Sequence, residues 1–162
     1  MLFNFKSIKN IKALIVCVAI PLLVGVIAGF ISSDSMEKFQ QLIKPPLSPP
    51  GFIFPIMWSI LYILMGIASY LVLTSNKPDY QITSALKFYG IQLFFNFFWS
   101  IIFFNFELYL FAFIWLIILL LLIIVTAYKF YDISKIAGYL LIPYILWVAF
   151  AGYLNIAIYL LN

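Results

Sequence analysis

Apolar and polar positions in this chain alternate by whole segments, not by single helical turns. Long apolar runs, each near the ~20 residues needed to cross ~30 Å of hydrocarbon, are separated by short breaks that hold nearly all the charge. Taken in order, the pattern predicts five spans at about 13–31, 52–73, 85–104, 108–128 and 136–161. The breaks are Ser32 to Pro50, then Lys77-Pro78-Asp79, then a tight turn at Asn105-Phe106-Glu107, then Lys129 to Lys135. Leu116 to Val125 is an unbroken aliphatic run, and a helix apolar all round faces lipid or a fully buried site. The fold class expected is an all-α membrane protein, a single transmembrane domain over 1–162 built as a five-helix bundle. The first run is too long for a signal-peptide core and has no small-x-small cleavage site, so it is expected to be retained.

Details within the runs refine this picture. Pro21 removes one backbone bond inside the first span, which a neighbour or a local distortion must accommodate. Gly25 and Gly29 form a small-xxx-small pair, readable as a dimer contact or as close packing within the bundle. The first break is long for a helix–helix connection, and breaks of that length are usually functional or disordered. Pro45, Pro46, Pro49 and Pro50 stiffen it, because proline fixes φ and pushes the preceding residue out of the α region. Residues 32–50 are therefore expected to form a rigid lid. Pro55 falls in the first turn of the second span, where a missing N–H costs little.

Composition then removes whole classes of function. Of 162 residues, 67% are hydrophobic and 9% charged, against roughly half and a quarter in soluble domains. The bilayer is the expected solvent and partner. The lone Cys17 excludes an intramolecular disulfide and reads as a packing residue. With no histidine, none can ligate zinc or haem iron or act as a general base. No metal site or cofactor is expected. The lysines scatter over termini and breaks and so read as topology signals, not as a nucleic-acid surface. Lys6, Lys9, Lys12, Lys77, Lys87, Lys129 and Lys135 fall on one side, and only Lys38 and Lys44 on the other. That asymmetry places the N-terminus in the cytoplasm and the lid and C-terminus outside a cell membrane.

Orientation allows side chains to be placed by depth. At ~1.5 Å per residue, Trp58 lies about 9 Å below the outer end of its span, Trp99 about 8 Å, Asn155 about 9 Å and Asn96 about 12 Å. Trp147 is deeper, at about 21 Å. In the third span Gln92, Asn96 and Trp99 share one face, and in the fifth Tyr144, Trp147, Ala151 and Asn155 do. In the second, Trp58, Tyr62, Met65, Gly66 and Ser69 draw a stripe of aromatic and small residues. Such stripes are what a pocket between helices looks like in one dimension. Trp58 and Trp99 can also be read as the aromatic belt of a membrane boundary. Asn96 and Asn155 can be read as polar glue between helices, at ~0.6 kcal/mol on average. Trp115, mid-span without polar neighbours, reads as lipid-facing or packing.

The stretch from Lys44 to Gly66, KPPLSPPGFIFPIMWSILYILMG, resembles the signature of the tryptophan-rich sensory and translocator proteins, the TspO/MBR family, in Pro49, Pro50, Trp58, Leu61, Tyr62, Met65 and Gly66. QLFFNFFWSIIFF in the third span and LLIPYILWVAFAGYLNIAIYLLN in the fifth are similar to further family segments. Leu47 departs from it, standing where the family usually has a loop tryptophan, and no Lys or Arg follows Tyr153 in the manner of the family's sterol pattern. A loose match to that pattern at Val125, Tyr131 and Lys135 carries little weight. The resemblance implies a five-helix bundle, often a homodimer, with a pocket for porphyrins, haem-type tetrapyrroles, sterols and benzodiazepine-like drugs. It implies Trp58, Asn96, Trp147 and Ala151 in that pocket. The candidate ligand-binding set is Trp58, Tyr62, Gln92, Asn96, Trp99, Tyr144, Trp147, Ala151, Asn155 and Pro49.

Two classes of function follow. One is a membrane receptor or sensor for flat hydrophobic molecules, with transport as an extension, since a mostly apolar pocket with a few polar groups suits such ligands. The other, implied by the resemblance, is an enzyme that degrades porphyrin in light and oxygen, with Trp58 and Trp147 as its reactive residues. No acid–base or nucleophile–base pair sits in the spans, which argues against ordinary hydrolytic catalysis. An ion-coupled transporter usually holds carboxylates within the membrane, and all five here lie in breaks or at span ends.

Overall fold

The computed structural model describes residues 10–162. Lys6 and Lys9, used above for orientation, lie outside them. Helix α1 (Ile11–Ile31) begins where the Asn10 side chain accepts the Ala13 N–H at 3.2 Å, an N-cap that satisfies one of the helix's free donors. A 3-10 turn (Ser33–Ser35) leads into the short α2 (Met36–Gln41). Then come α3 (Ile53–Leu73), α4 (Asp79–Ser100) with a wider π turn (Ile101–Asn105), α5 (Tyr109–Ile133), α6 (Lys135–Leu140) and α7 (Ile142–Leu161). Five passes result: α1, α3, α4 with its π turn, α5, and α6 joined to α7. All are long and apolar enough to cross a bilayer, so the all-α bundle expected from the sequence is what forms.

The differences are local and have physical causes. The third pass begins at Asp79, not near Ala85, because Gln81, Thr83 and Ser84 form a polar first turn that hydropathy cannot see. The fourth runs on to Ile133, carrying Lys129 and Asp132 on its last turn. The fifth is broken at Leu141, so that Pro143 sits in the first turn of α7, where proline is tolerated. The lid is not all loop, since α2 and its 3-10 turn form its first half. Its second half passes through Leu47, which has φ +67°, a left-handed conformation that a bulky side chain rarely adopts. Glu107, at φ +56°, turns the chain between α4 and α5.

The core is drawn from α3, α4, α5 and α7, with Leu61, Met65, Leu116, Leu119, Ile123 and Val148 all fully or almost fully buried. Helix α1 is a peripheral element with only Cys17, Pro21 and Ala28 buried. It packs against α3 through glycines on both sides. A β-carbon on Gly66 would meet Val18 Cα and come within 2.7 Å of the Cys17 carbonyl. One on Gly25 would collide with the Tyr62 ring. Gly25 therefore serves close packing within the bundle. Outward-facing Ile15, Leu23, Leu121 and Leu146 are exposed and meet lipid. Helices satisfy their own backbone groups, which is what allows apolar surfaces of this kind to face hydrocarbon.

Candidate functional site

Above the α1–α3 contact the bundle opens. A cavity of about 520 Å³ lies between α1, α3, α4 and α7, roofed by α2 and the lid. Its lining is chiefly apolar carbon. Phe54, Pro55, Trp58, Ser59 and Tyr62 come from α3, Asn96 and Trp99 from α4, Ala151, Leu154 and Asn155 from α7, and Met36 and Phe39 from α2. The indole of Trp58 is the centre of the aromatic wall. It stacks on Tyr62 at 5.6 Å between ring centroids, lies 6.2 Å from Trp99, and meets Tyr144 edge-on at 6.2 Å. Phe39 caps the site by packing edge-on against Phe54, Phe103 and Phe104.

The polar groups of the floor are bonded to one another. Tyr62 donates to Asn96 Oδ1 at 2.7 Å, Asn96 Nδ2 donates to the Tyr144 hydroxyl at 2.8 Å, and Tyr144 donates to Gln92 Oε1 at 2.8 Å. Gln92 Nε2 ends the chain against the Met65 sulfur at 3.7 Å. A second pair fixes the opposite wall, where Trp99 Nε1 donates to Asn155 Oδ1 at 3.2 Å and Asn155 Nδ2 to the Tyr109 carbonyl at 2.8 Å. Buried polar groups without partners are costly in hydrocarbon, so these bonds hold tyrosine, asparagine and tryptophan side chains at fixed positions. Ser32, which also touches the cavity, is an exception, with a buried Oγ that has no partner.

Of the ten residues singled out from the sequence, Trp58, Tyr62, Asn96, Trp99, Ala151 and Asn155 line the cavity. The other four lie off its wall. Tyr144 and Gln92 lie behind Asn96 and support it in series, since Tyr144 accepts from Asn96 and donates to Gln92. Trp147 stands behind Phe54, whose ring is 5.9 Å away and edge-on, and its buried indole N–H has no partner. Pro49 is half-buried in the lid, and Ser48 beside it supplies the contact of the lid's second half with the cavity. Sequence reasoning missed the contribution of α1, because Leu22, Gly25 and Gly29 carry no polar or aromatic signal. Trp115 packs as expected, but it is not without polar contact, since it donates to the Phe95 carbonyl at 2.8 Å.

The roof is fastened at several points. Lys38 on α2 pairs with Glu107 at 2.7 Å, and this hydrogen bond with the carboxylate raises the lysine pKa above its ordinary value. The Asn162 side chain accepts the Ile43 N–H at 2.9 Å and donates to the Ile43 carbonyl at 3.1 Å. Tyr153 donates to the Pro46 carbonyl at 2.9 Å. Among the described residues no cluster of metal-ligating side chains occurs.

Comparison with known proteins agrees with this architecture. The TspO/MBR family profile matches residues 17–161. The chain is 35% identical to the "Tryptophan-rich protein TspO" of Chlorobaculum tepidum over 95% of its own length and 98% of that protein's. It is 35% identical to the protein of the same name from Archaeoglobus fulgidus, over 94% and 99%. To the "Translocator protein" of Bos taurus it is 31% identical, over 79% and 76%. With its five apolar passes, this chain is a multi-pass membrane protein and belongs to the TspO/MBR family.

Proposed function

We propose that this protein is a membrane receptor or sensor that holds porphyrins, haem-type tetrapyrroles and related flat hydrophobic molecules in the cavity beneath the lid. The observation that carries the reading is the cavity itself, whose wall presents the indoles of Trp58 and Trp99. Its volume of about 520 Å³ falls within the ~300–1,000 Å³ usual for small-molecule sites. Aromatic faces give a flat guest broad contact with little conformational cost. Transport is the natural extension, supported by the name of the bovine relative, a translocator protein. A homodimer fits the outward apolar faces and belongs to the same proposal.

The test is a titration of protoporphyrin into detergent-solubilised protein, followed by tryptophan fluorescence. Trp58→Ala should weaken binding at least tenfold, whereas Trp147→Ala, behind Phe54, should change it less than threefold. Undiminished affinity in a folded Trp58→Ala variant would rule the site out. The photochemical reading rests on one observation, the clustering of the oxidisable rings Trp58, Tyr62 and Trp99 at the cavity wall. Its other expected residue, Trp147, stands off the cavity. Illumination separates the two readings, because bound porphyrin that bleaches equally fast in wild type and Trp58→Phe leaves binding alone.

A further inference from the structure

The cavity has a side as well as a roof. Val26 and Gly29 on α1 and Pro55 and Ser59 on α3 both line it and are exposed on the bundle's surface. Deeper in the bilayer the two helices are in tight contact where Gly25 meets Tyr62 and Gly66 meets Val18. One turn closer to the lid that contact ends, and a β-carbon on Gly29 would have nothing within 4 Å. The contact is open there, and neither Gly29 nor Ser59 has a side chain large enough to close it.

The depth of the gap is set by the helix rise. At ~1.5 Å per residue, Gly29 lies about 3 Å below the end of α1 and Ser59 about 9 Å below the start of α3. The gap therefore faces the outermost acyl region of the leaflet on the lid's side. Its frame suits that environment, since the Ser59 hydroxyl is spent on the Pro55 carbonyl at 2.7 Å. The lid, by contrast, is tied to the bundle by the Lys38–Glu107, Ile43–Asn162 and Pro46–Tyr153 bonds.

We propose that the α1–α3 gap is a lateral window, through which a flat apolar ligand dissolved in that leaflet enters and leaves while the lid stays shut. The ligand class rests on the function proposed above. The window itself rests on the open space at Gly29 and on cavity-lining residues that are exposed at the surface.

The experiment fills the gap. Gly29→Phe places a ring in open space and replaces a helical glycine, so the variant should fold at least as well as wild type. With protein in lipid bilayers and mesoporphyrin delivered from the same lipid, Gly29→Phe should slow association and dissociation together by at least tenfold. Gly29→Ala, whose added methyl meets nothing within 4 Å, should leave both rates within twofold of wild type. Lys38→Ala with Asn162→Ala and Tyr153→Phe, which together remove the lid's three fastenings, should leave both rates within twofold. Unaltered rates in Gly29→Phe, or rates that rise only when the lid is unfastened, would overturn the window.

A ligand-free arm separates this failure from failure of the porphyrin reading. In bilayers of phospholipid brominated near the top of the acyl chain, quenching of tryptophan emission should fall in Gly29→Phe, because chains no longer reach Trp58 through the gap. That drop in a protein that binds no porphyrin keeps the window and overturns the ligand. Equal quenching in both proteins overturns the window whatever the ligand.

Discussion

The hydrogen-bonded floor gives the sharpest energetic prediction. Tyr62→Phe deletes one hydroxyl and keeps the ring, so stacking on Trp58 and packing on Gly25 survive while the 2.7 Å bond to Asn96 is lost. Asn96→Leu removes that bond and also the 2.8 Å bond to Tyr144. Hydrogen bonds between membrane helices average ~0.6 kcal/mol and reach ~1.7. Tyr62→Phe should therefore destabilise by roughly 0.6–1.7 kcal/mol, and Asn96→Leu by roughly twice that. Asn96→Leu sits at the upper end, because it strands the buried Tyr62 hydroxyl in a low-dielectric site. Once Asn96 is gone, Tyr62→Phe should cost nothing more, so the double variant should fall short of the summed single effects by about 0.6–1.7 kcal/mol. Reversible unfolding in mixed detergent–SDS micelles, followed by far-UV circular dichroism, measures all four proteins on one scale. Additive effects within ~0.3 kcal/mol would show that Tyr62 and Asn96 are not coupled, and the account of the floor as a connected chain would be wrong.

Three further outcomes follow from single positions. Gly66→Ala should destabilise by roughly 1–3 kcal/mol through overpacking, because its methyl group meets the backbone of α1 at Val18 and Cys17. A melting temperature equal to wild type would refute that contact. Asn162→Ala should release Ile43 from the end of α7 and raise the rate of limited proteolysis near residues 42–48 several-fold, with little effect on the melting temperature. Leu47→Asn should stabilise by up to roughly 1 kcal/mol, since asparagine tolerates the left-handed conformation better and Leu47, 82% exposed, has almost no packing to lose. A lower melting temperature there would mean that Leu47 holds the lid down.

The legibility of the site tracked how each residue signals its place. Trp58, Asn96, Trp99 and Asn155 stood out because polar or amphipathic side chains at membrane depth are rare, and all four reach the cavity. Helical spacing alone could not separate cavity from floor. Gln92 lies one turn from Asn96 on the same face, yet that turn carries it under the floor. Trp147 differs for another reason. Its depth, counted from Leu161 along the unbroken α7, is right, but its indole packs edge-on against Phe54, which lines the cavity, and a contact with another helix is not encoded in the spacing of α7. The α1 wall was illegible because its contribution is an absence of side chains at Gly25 and Gly29, and the pair could equally have served a dimer. The last turn of α5 and the polar first turn of α4 escaped for the usual reason that charged and hydroxyl residues at helix ends read as loop.

The same residue type does opposite work at two levels of the α1–α3 seam. At Gly66 and Gly25 the missing side chain lets the helices touch, and the partner atoms fill the space. At Gly29 the missing side chain leaves the space empty, because α3 presents only Pro55 and Ser59 there. Tyr62 sits at the boundary between the two regimes. Its ring seals the seam against Gly25, its hydroxyl opens the hydrogen-bonded floor, and its face carries Trp58. A cavity in a bundle this apolar would collapse if its walls were free to relax, since lipid and side chains are equally willing to fill it. What fixes its shape is that Tyr62, Asn96, Trp99 and Asn155 are held in place by polar bonds that hydrocarbon cannot replace. The floor chemistry and the void above it are therefore one construction, and weakening the first should shrink the second.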